Sequence, residues 1–252
     1  MPGTSPRHSA VPPAGPPATA GASPAHPSSP LLRPTASTVR VGIGVALLAV
    51  TAVLAATVYA AHGPLSVDHS TWSFLLGHRS GVTTAVAEFV STVLSPVGTV
   101  VLAALAAALL WRRDHRIDRG ASLLATVVGA AAVTEVLKIL VHRTRPPMAW
   151  QLEAHEAAGS FPSGHTTGAA ALAFGLAVLV IPRVAATARA ALVLVALSVA
   201  SAAALSRLYL GMHWLTDVVA AMLIGLAAAL IVPTLVAAVL PRLPWLPRGA
   251  GD

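Results

Sequence analysis

The stretch Trp214–Val232, WLTDVVAAMLIGLAAALIV, decides the fold class, because it is almost wholly apolar and has the length of a membrane-crossing helix. A bilayer core needs about 20 apolar residues in a helix. Five similar segments precede it, at Val41–Ala61, Thr84–Leu110, Gly120–Val141, Thr166–Ile181 and Ala190–Leu205. The sequence therefore predicts an all-α fold, a polytopic membrane bundle of six transmembrane helices.

The composition of the whole chain favours the same class. Of its 252 residues, 56% are hydrophobic and only 10% are charged, whereas a soluble domain is typically about 25% charged. There is no cysteine, which excludes disulfides, thiolate catalysis and Cys-ligated metal sites. The net charge of +7 does not indicate nucleic-acid binding, because the basic residues lie in short loops and form no continuous basic face.

We predict three regions along the chain. Residues 1–38 are rich in Pro, Ala and Ser, so we expect a disordered cytoplasmic tail that acts as a plain tether or as a docking segment. Residues 39–240 form the six-helix membrane domain, and residues 241–252 form a short cytoplasmic tail.

Two local features precede and interrupt the second span. Pro96 lies within it, where we expect a kink or a tilt. Residues 66–80, just before it, mix Trp, Phe and Leu with charged residues and His. That mixture is typical of an interfacial amphipathic helix, although an ordinary loop is the alternative.

The basic residues of the short loops predict the orientation. One side of the spans carries Arg33, Arg40, Arg112, Arg113, Arg116, Arg119, Arg183, Arg189, Arg242 and Arg248. Cytoplasmic loops carry an excess of Lys and Arg, so we expect this side, with both termini, to be cytoplasmic. Three polar clusters, within residues 138–145, 162–165 and 206–217, then lie together on the extracytoplasmic side. Their basic residues run against the rule, which indicates a functional site.

His213 and Asp217 lie four residues apart at the start of the sixth span, so they share a helix face. A carboxylate beside an imidazole fixes its tautomer and stabilises its cation, and the other ring nitrogen can attack an electrophile such as phosphorus. A polar pair facing a loop and a pair of metal ligands are the alternatives. We expect no metal, because Arg207 and two further cations should lie nearby and would repel one.

Lys138 and Arg145 lie seven residues apart at the end of the third span, about two helical turns, and Pro146 should end the helix there. Arg offers a planar fork that matches phosphate oxygens, and Lys offers a mobile point charge. The alternative is anchoring to lipid headgroups, which we expect for Arg143 and His142.

Two glutamates lie near these clusters. Glu135 lies one turn before Lys138, and Glu88 lies near the outer end of the second span. Either could contact a headgroup, but we expect structural pairing, with Glu135 and Lys138 as the candidate ion pair.

The segment Pro162-Ser163-Gly164-His165 lies where an outer loop enters the fourth span. Ser163 is a candidate N-cap, and Gly164 lets backbone approach a ligand closely. The N–H groups of the first turn can then receive an anion, and His165 would be placed to donate a proton to a departing oxygen. Simple capping with an interfacial histidine is the alternative.

The three clusters together have the pattern Lys-x6-Arg-Pro, then Pro-Ser-Gly-His, then Ser-Arg-x5-His-x3-Asp. In this the chain resembles the type 2 phosphatidic acid phosphatase superfamily, which also includes the vanadium-dependent haloperoxidases. Every fixed position matches: Lys138, Arg145, Pro146, Pro162, Ser163, Gly164, His165, Ser206, Arg207, His213 and Asp217. The motifs span about 80 residues, and the six-span plan extends the resemblance to most of residues 41–232.

The resemblance implies a role for each motif residue. His213 would be the nucleophile and form a phosphohistidine, oriented by Asp217. His165 would protonate the leaving group and then activate water. The phosphate oxygens would be held by Lys138, Arg145, Ser163, the Gly164 amide and Arg207. No metal and no other cofactor is expected.

The expected function is hydrolysis of a lipid phosphate or diphosphate at the outer leaflet of a bacterial plasma membrane. Candidate substrates are a polyprenyl diphosphate such as undecaprenyl diphosphate, phosphatidic acid and phosphatidylglycerol phosphate. The expected partners are this lipid and the bilayer, and no nucleic acid; the oligomeric state is not predicted. A lipid phosphotransferase on the same site is the main alternative. A haloperoxidase is disfavoured because that branch is typically soluble, and a transporter because the polar residues cluster near one interface.

Overall fold

In the computed structural model, which describes residue 3 and residues 35–154 and 158–242, every regular element is helical. The α-helices are α1 (Ala36–Ala61), α2 (Ser66–Gly77), α3 (Gly81–Val93), α4 (Pro96–Asp114), α5 (Asp118–Val141), α6 (Gly164–Val180), α7 (Ala186–Tyr209) and α8 (Leu215–Val239). Short 3₁₀ turns occupy Met148–Trp150, Ile181–Arg183 and Leu240–Arg242. The predicted all-α fold is confirmed.

Six of the described helices are long and apolar enough to cross a membrane: α1, α4, α5, α6 with its following turn, α7 and α8. This confirms the predicted number of spans. The first helix begins earlier than predicted, at Ala36, because the Thr35 hydroxyl accepts a hydrogen bond from the Thr38 N–H at 3.2 Å and so caps it. The predicted tails lie almost wholly outside the described residues.

The second predicted span, Thr84–Leu110, is wrong in its bounds. The chain breaks at Leu94 and Ser95 into α3 and α4. Ser95 caps α4 by accepting the Gly98 N–H at 3.0 Å, and Pro96 takes the first helical position, where its missing N–H costs nothing. Pro96 therefore starts a helix where we expected it to kink one.

The segment before α3 is helical, as predicted. The 12 residues of α2 form a regular helix, which rules out the alternative of an ordinary loop. Its interfacial position stays a prediction.

Close contacts of small residues bring α6 and α8 together. The last helix packs against α1, α5 and α6, and α6 also packs against α5 and α7. A Cβ at Gly225 would lie 2.5 Å from Ala170 Cβ and 2.7 Å from the Ala171 amide nitrogen. Glycine thus lets the two backbones nearly touch. The contact lies in the second turn of α6 and near the middle of α8.

Candidate active site

The motif residues meet at one end of the bundle, where α5 and α7 end and α6 and α8 begin. Lys138 lies in the last turn of α5 and Arg207 in the last turn of α7, while Gly164 begins α6 and Asp217 lies in the first turn of α8. The Ser163 N–H donates to the Asp217 carbonyl at 3.3 Å, which joins the two helix beginnings directly. Residues far apart in sequence thus form one polar cluster in an apolar bundle.

His213 lies on the short turn between α7 and α8 and is only 1% exposed. The turn passes through Gly211, whose φ of +73° favours glycine. His213 Nδ1 lies 2.8 Å from the Ser160 backbone oxygen. A carbonyl only accepts, so Nδ1 carries the ring proton. His213 Nε2, 3.1 Å from Arg145 Nη1, therefore accepts from that guanidinium and holds the lone pair.

The charge state of His213 follows from its surroundings. Burial lowers the pKa of His213 below its usual value, the positive charges of Arg145 and Arg207 lower it further, and Asp217 opposes them. The imidazole is therefore neutral at pH 7, which is the form that can act as a nucleophile.

Asp217 is fully buried and held on several sides. Its Oδ2 accepts from the Trp214 N–H at 2.8 Å and from the Ser160 hydroxyl at 2.5 Å. The same oxygen lies 3.5 Å from His213 Nδ1, farther than the Ser160 carbonyl oxygen. Ser160 therefore sets the direction of the ring in this structure, and Asp217 acts across a longer distance through its charge. Every residue type has a backbone carbonyl, so the sequence could not indicate that Ser160 contacts His213.

Arg143 does not lie at the surface, so its predicted role as a headgroup anchor is wrong. It is 6% exposed, and its two terminal nitrogens donate to Asp217 Oδ1 at 2.5 Å and to Asp68 Oδ2 at 2.6 Å. The predicted helix end at Arg145 is also wrong, because α5 ends at Val141 and His142 adopts a left-handed conformation with φ 44°. Lys138 and Arg145 therefore do not share a helix.

Lys138 and Arg145 nevertheless reach the same region. Lys138 Nζ lies 3.2 Å from Glu135 Oε1, which confirms the predicted ion pair. A Cβ at Gly164 would lie 3.5 Å from that Nζ, so the lysine reaches the beginning of α6. Arg145 donates to the Met212 carbonyl at 2.9 Å as well as to His213. A cavity of about 340 Å³ opens beside Arg145 and Ala158.

Arg207 is fully buried and contacts two residues that the sequence did not indicate. It donates to the Ser91 hydroxyl at 2.7 Å, on α3, and forms a short ion pair with Glu153. Glu153 follows the 3₁₀ turn in the loop between α5 and α6. In this structure, therefore, a carboxylate of the loop is paired with a cation that we expect to bind phosphate. Glu88 is exposed on α3.

The segment Ser163-Gly164-His165 begins α6 as predicted. Ser163 takes the N-cap position but its side chain forms no capping bond; its oxygen accepts from the Thr166 hydroxyl at 3.2 Å. His165 is half-buried in the first turn. The first N–H groups of a helix have no acceptor within it, so this end of α6 suits an anion. In the described part of the chain, no group of three or more His, Cys, Asp or Glu could hold a metal ion.

The family resemblance is confirmed by comparison with known proteins. The model of the PAP2 superfamily matches residues 119–240, which run from the start of α5 to the end of α8. The matched region contains all three motifs. No curated protein sequence matches the chain.

The solved structures that are similar to this chain include the following two. One is the first transmembrane PAP2-type phosphatidylglycerolphosphate phosphatase from Bacillus subtilis, with a TM-score of 0.67 and 24% identity over 81% of this chain and 98% of that one. The other is LpxE from Aquifex aeolicus, with a TM-score of 0.49 and 20% identity over 66% of this chain and 94% of that one. The first likeness shows a common fold.

Proposed function

We propose that this protein is a lipid phosphate phosphatase that acts through a phosphohistidine on His213. The observation that carries the proposal is the unprotonated Nε2 of His213, placed against the Arg145 guanidinium at one end of an apolar helical bundle. The match of residues 119–240 to the model of the PAP2 superfamily supports the same class.

In the first step the phosphate group lies among Lys138, Arg145 and Arg207, against the beginning of α6. Fixed cations neutralise its equatorial oxygens, which is the main requirement of phosphoryl transfer. His213 Nε2 attacks phosphorus and forms an N–P bond while the bond to the leaving oxygen breaks. His165 gives its proton to that oxygen. The Nδ1 proton stays on the ring and donates to the Ser160 carbonyl.

In the second step a water molecule replaces the leaving group. His165, now unprotonated, takes a proton from this water as its oxygen attacks phosphorus. The N–P bond breaks, inorganic phosphate leaves, and His213 returns to its starting tautomer. The negative charge of Asp217 stabilises the positive ring that exists between the two steps.

A lipid is the substrate that this placement favours. The chains can lie against the helices in the bilayer while the phosphate reaches the end of the bundle, and binding energy from the chains then contributes to catalysis. We favour a polyprenyl diphosphate released at the outer face of a bacterial plasma membrane. Phosphatidic acid and phosphatidylglycerol phosphate are the alternatives, and the substrate in the name of the Bacillus subtilis relative supports the latter.

Phosphate release from purified protein in mixed micelles tests the proposal. Undecaprenyl diphosphate, phosphatidic acid, phosphatidylglycerol phosphate and soluble glycerol phosphate are compared, the lipids at equal surface concentration. We expect much higher kcat/KM for the lipids, no loss with EDTA, abolition in His213→Ala and normal activity in the control His78→Ala, an exposed histidine on another loop.

Three outcomes would contradict parts of this proposal. Near-normal turnover in His213→Ala overturns the mechanism, and equal rates on glycerol phosphate overturn the lipid assignment. Strict dependence on added magnesium contradicts metal independence. Transfer of the phosphoryl group to an added acceptor lipid in preference to water identifies the phosphotransferase alternative.

A further inference from the structure

Arg143 joins two buried carboxylates that come from distant parts of the chain. One side of its guanidinium donates to Asp217 Oδ1 at 2.5 Å and to the Thr216 hydroxyl at 2.7 Å, at the start of α8. The other side donates to Asp68 Oδ2 at 2.6 Å, in the first turn of α2. A planar fork with several donors is suited to such a bridge.

Asp68 is itself fully buried and fixed by the backbone. Its oxygens accept from the Thr216 N–H at 2.8 Å and from the Leu65 N–H at 3.0 Å. It therefore caps α2 and holds the first turn of α8 at the same time. Buried charges are costly unless they are paired, so a role in fixing geometry is expected for the set.

The bridge ends on the carboxylate that faces the nucleophile. Asp217 Oδ1 is taken by Arg143, whereas Oδ2 lies 3.5 Å from His213 Nδ1. With both oxygens committed, the carboxylate has one orientation. In this structure no contact joins Arg143 or Asp68 to His213 directly among the described residues, so their influence passes through Asp217.

We propose that Arg143 and Asp68 are positioning residues for His213, which hold the Asp217 carboxylate in place and set how strongly its negative charge acts on the imidazole. As a statement about catalysis this rests on the proposed phosphatase function. As a statement about the resting protein it stands by itself.

Asp68, Arg143, Asp217 and His213 contact one another in that order, and their charges alternate in sign. Neutral substitutions of Asp68 and of Arg143 should therefore have opposite effects on the stability of protonated His213. Arg143→Gln removes the cation that partly neutralises the Asp217 carboxylate, so the carboxylate stabilises protonated His213 more strongly. Asp68→Asn leaves Arg143 acting on Asp217 alone, so the carboxylate stabilises protonated His213 less. Among the described residues, Arg145 and Arg207 also act on His213, and both are unchanged in the two variants.

The experiment measures kcat and KM against pH, with kcat normalised to the concentration of active sites. For Arg143→Gln we expect kcat to fall by roughly 10²-fold, as for a misplaced catalytic group, with KM within about 2-fold because Arg143 does not reach the phosphate. The acid limb of the profile should move up by about 1 in pH. Asp68→Asn should move the acid limb to lower pH, and the double variant should return it towards the wild-type position. Arg143→Lys should keep the limb at the wild-type pH and retain part of kcat.

Arg119→Gln is the matched control. Arg119 is also a buried arginine in an ion pair, with Asp114, but it lies at the start of α5, the other end of that helix. It should lower thermal stability and leave the limb where it is. Limbs that stay fixed in Arg143→Gln and Asp68→Asn, or that move in the same direction, would overturn the proposal.

A second readout separates this proposal from the phosphatase assignment. The titration of His213 is followed by ¹⁵N NMR of histidine-labelled resting protein, with the signal assigned by its loss in His213→Gln. The same opposite shifts are expected whether or not the substrate is a lipid phosphate. If Arg143→Gln does not fold, the downward shift in Asp68→Asn still decides the question.

Discussion

Glu153 forms an ion pair with Arg207, a cation of the candidate phosphate site, so removing the charge of Glu153 should improve substrate binding. Its carboxylate pairs with Arg207, whose side chain is 0% exposed, while that of Glu153 is 27% exposed. Phosphate oxygens that bind Arg207 must displace this carboxylate. Glu153→Gln keeps the size of the side chain and removes the charge that competes.

The size of the effect follows from the strength of the pair. Exposed ion pairs stabilise by about 0.2–1 kcal/mol, and breaking a buried pair costs about 3–5 kcal/mol. One buried and one partly exposed partner place this pair at about 1–2 kcal/mol between those limits. The fraction of protein in which Arg207 is released from Glu153 is then about 0.16 to 0.03. The ion pair therefore weakens phosphate binding by roughly 6- to 30-fold. Glu153→Gln should lower KM by that factor.

The assay is phosphate release in mixed micelles across a range of lipid surface concentrations. Glu135→Gln is the control, because Glu135 pairs with another phosphate-site cation, Lys138, but is 63% exposed and screened by solvent. Its KM should change by less than about 2-fold. A KM for Glu153→Gln that rises, or that changes no more than in the control, would refute the reasoning.

Three further outcomes are expected. Gly225→Ala should destabilise the protein by about 1–3 kcal/mol in thermal unfolding in detergent, because its Cβ would meet α6, whereas Gly42→Ala, with nothing within 4 Å, should not. The pKa of His213 is lowered in the folded protein, so the unfolded chain binds more protons below about pH 6.5. The free energy of unfolding should therefore fall as pH falls through that value, and His213→Gln should lessen the fall. A cysteine in residues 112–119 of this cysteine-free chain should resist an impermeant thiol reagent in intact cells, and one at Leu152 should react; the reverse would place the site in the cytoplasm.

The number of spans and the meeting of the motifs could be predicted because polar residues in an apolar chain are few and costly. Each cluster lies at or just beyond the end of a span, although α5 ends before Arg145. Glu135 lies close enough to Lys138 in sequence for their ion pair to be predicted. Local rules are sufficient for such features, since both partners lie on one helix.

The remaining features depend on contacts between distant segments. Arg143 looks like a headgroup anchor from its place at a helix end. In the structure α5 ends at Val141, His142 adopts a left-handed conformation, and Arg143 lies inside beside Asp68, 75 residues away in sequence. Pro96 predicts a kink unless the capping bond of Ser95 is known. Ser160 acts on His213 through its backbone oxygen, which residue type does not encode.

The most direct test of the central claim is the position of phosphorus on the enzyme during turnover. Wild-type protein and His165→Ala, which lacks the base for hydrolysis, are mixed with a lipid diphosphate and quenched in alkali, and the peptides are analysed by mass spectrometry and ³¹P NMR. Because Nδ1 is held by the Ser160 carbonyl, the account predicts a phosphoryl group on Nε2 of His213, which, once formed, persists longer in His165→Ala. Turnover without any phosphoryl group on His213, or with one on Nδ1, would contradict it.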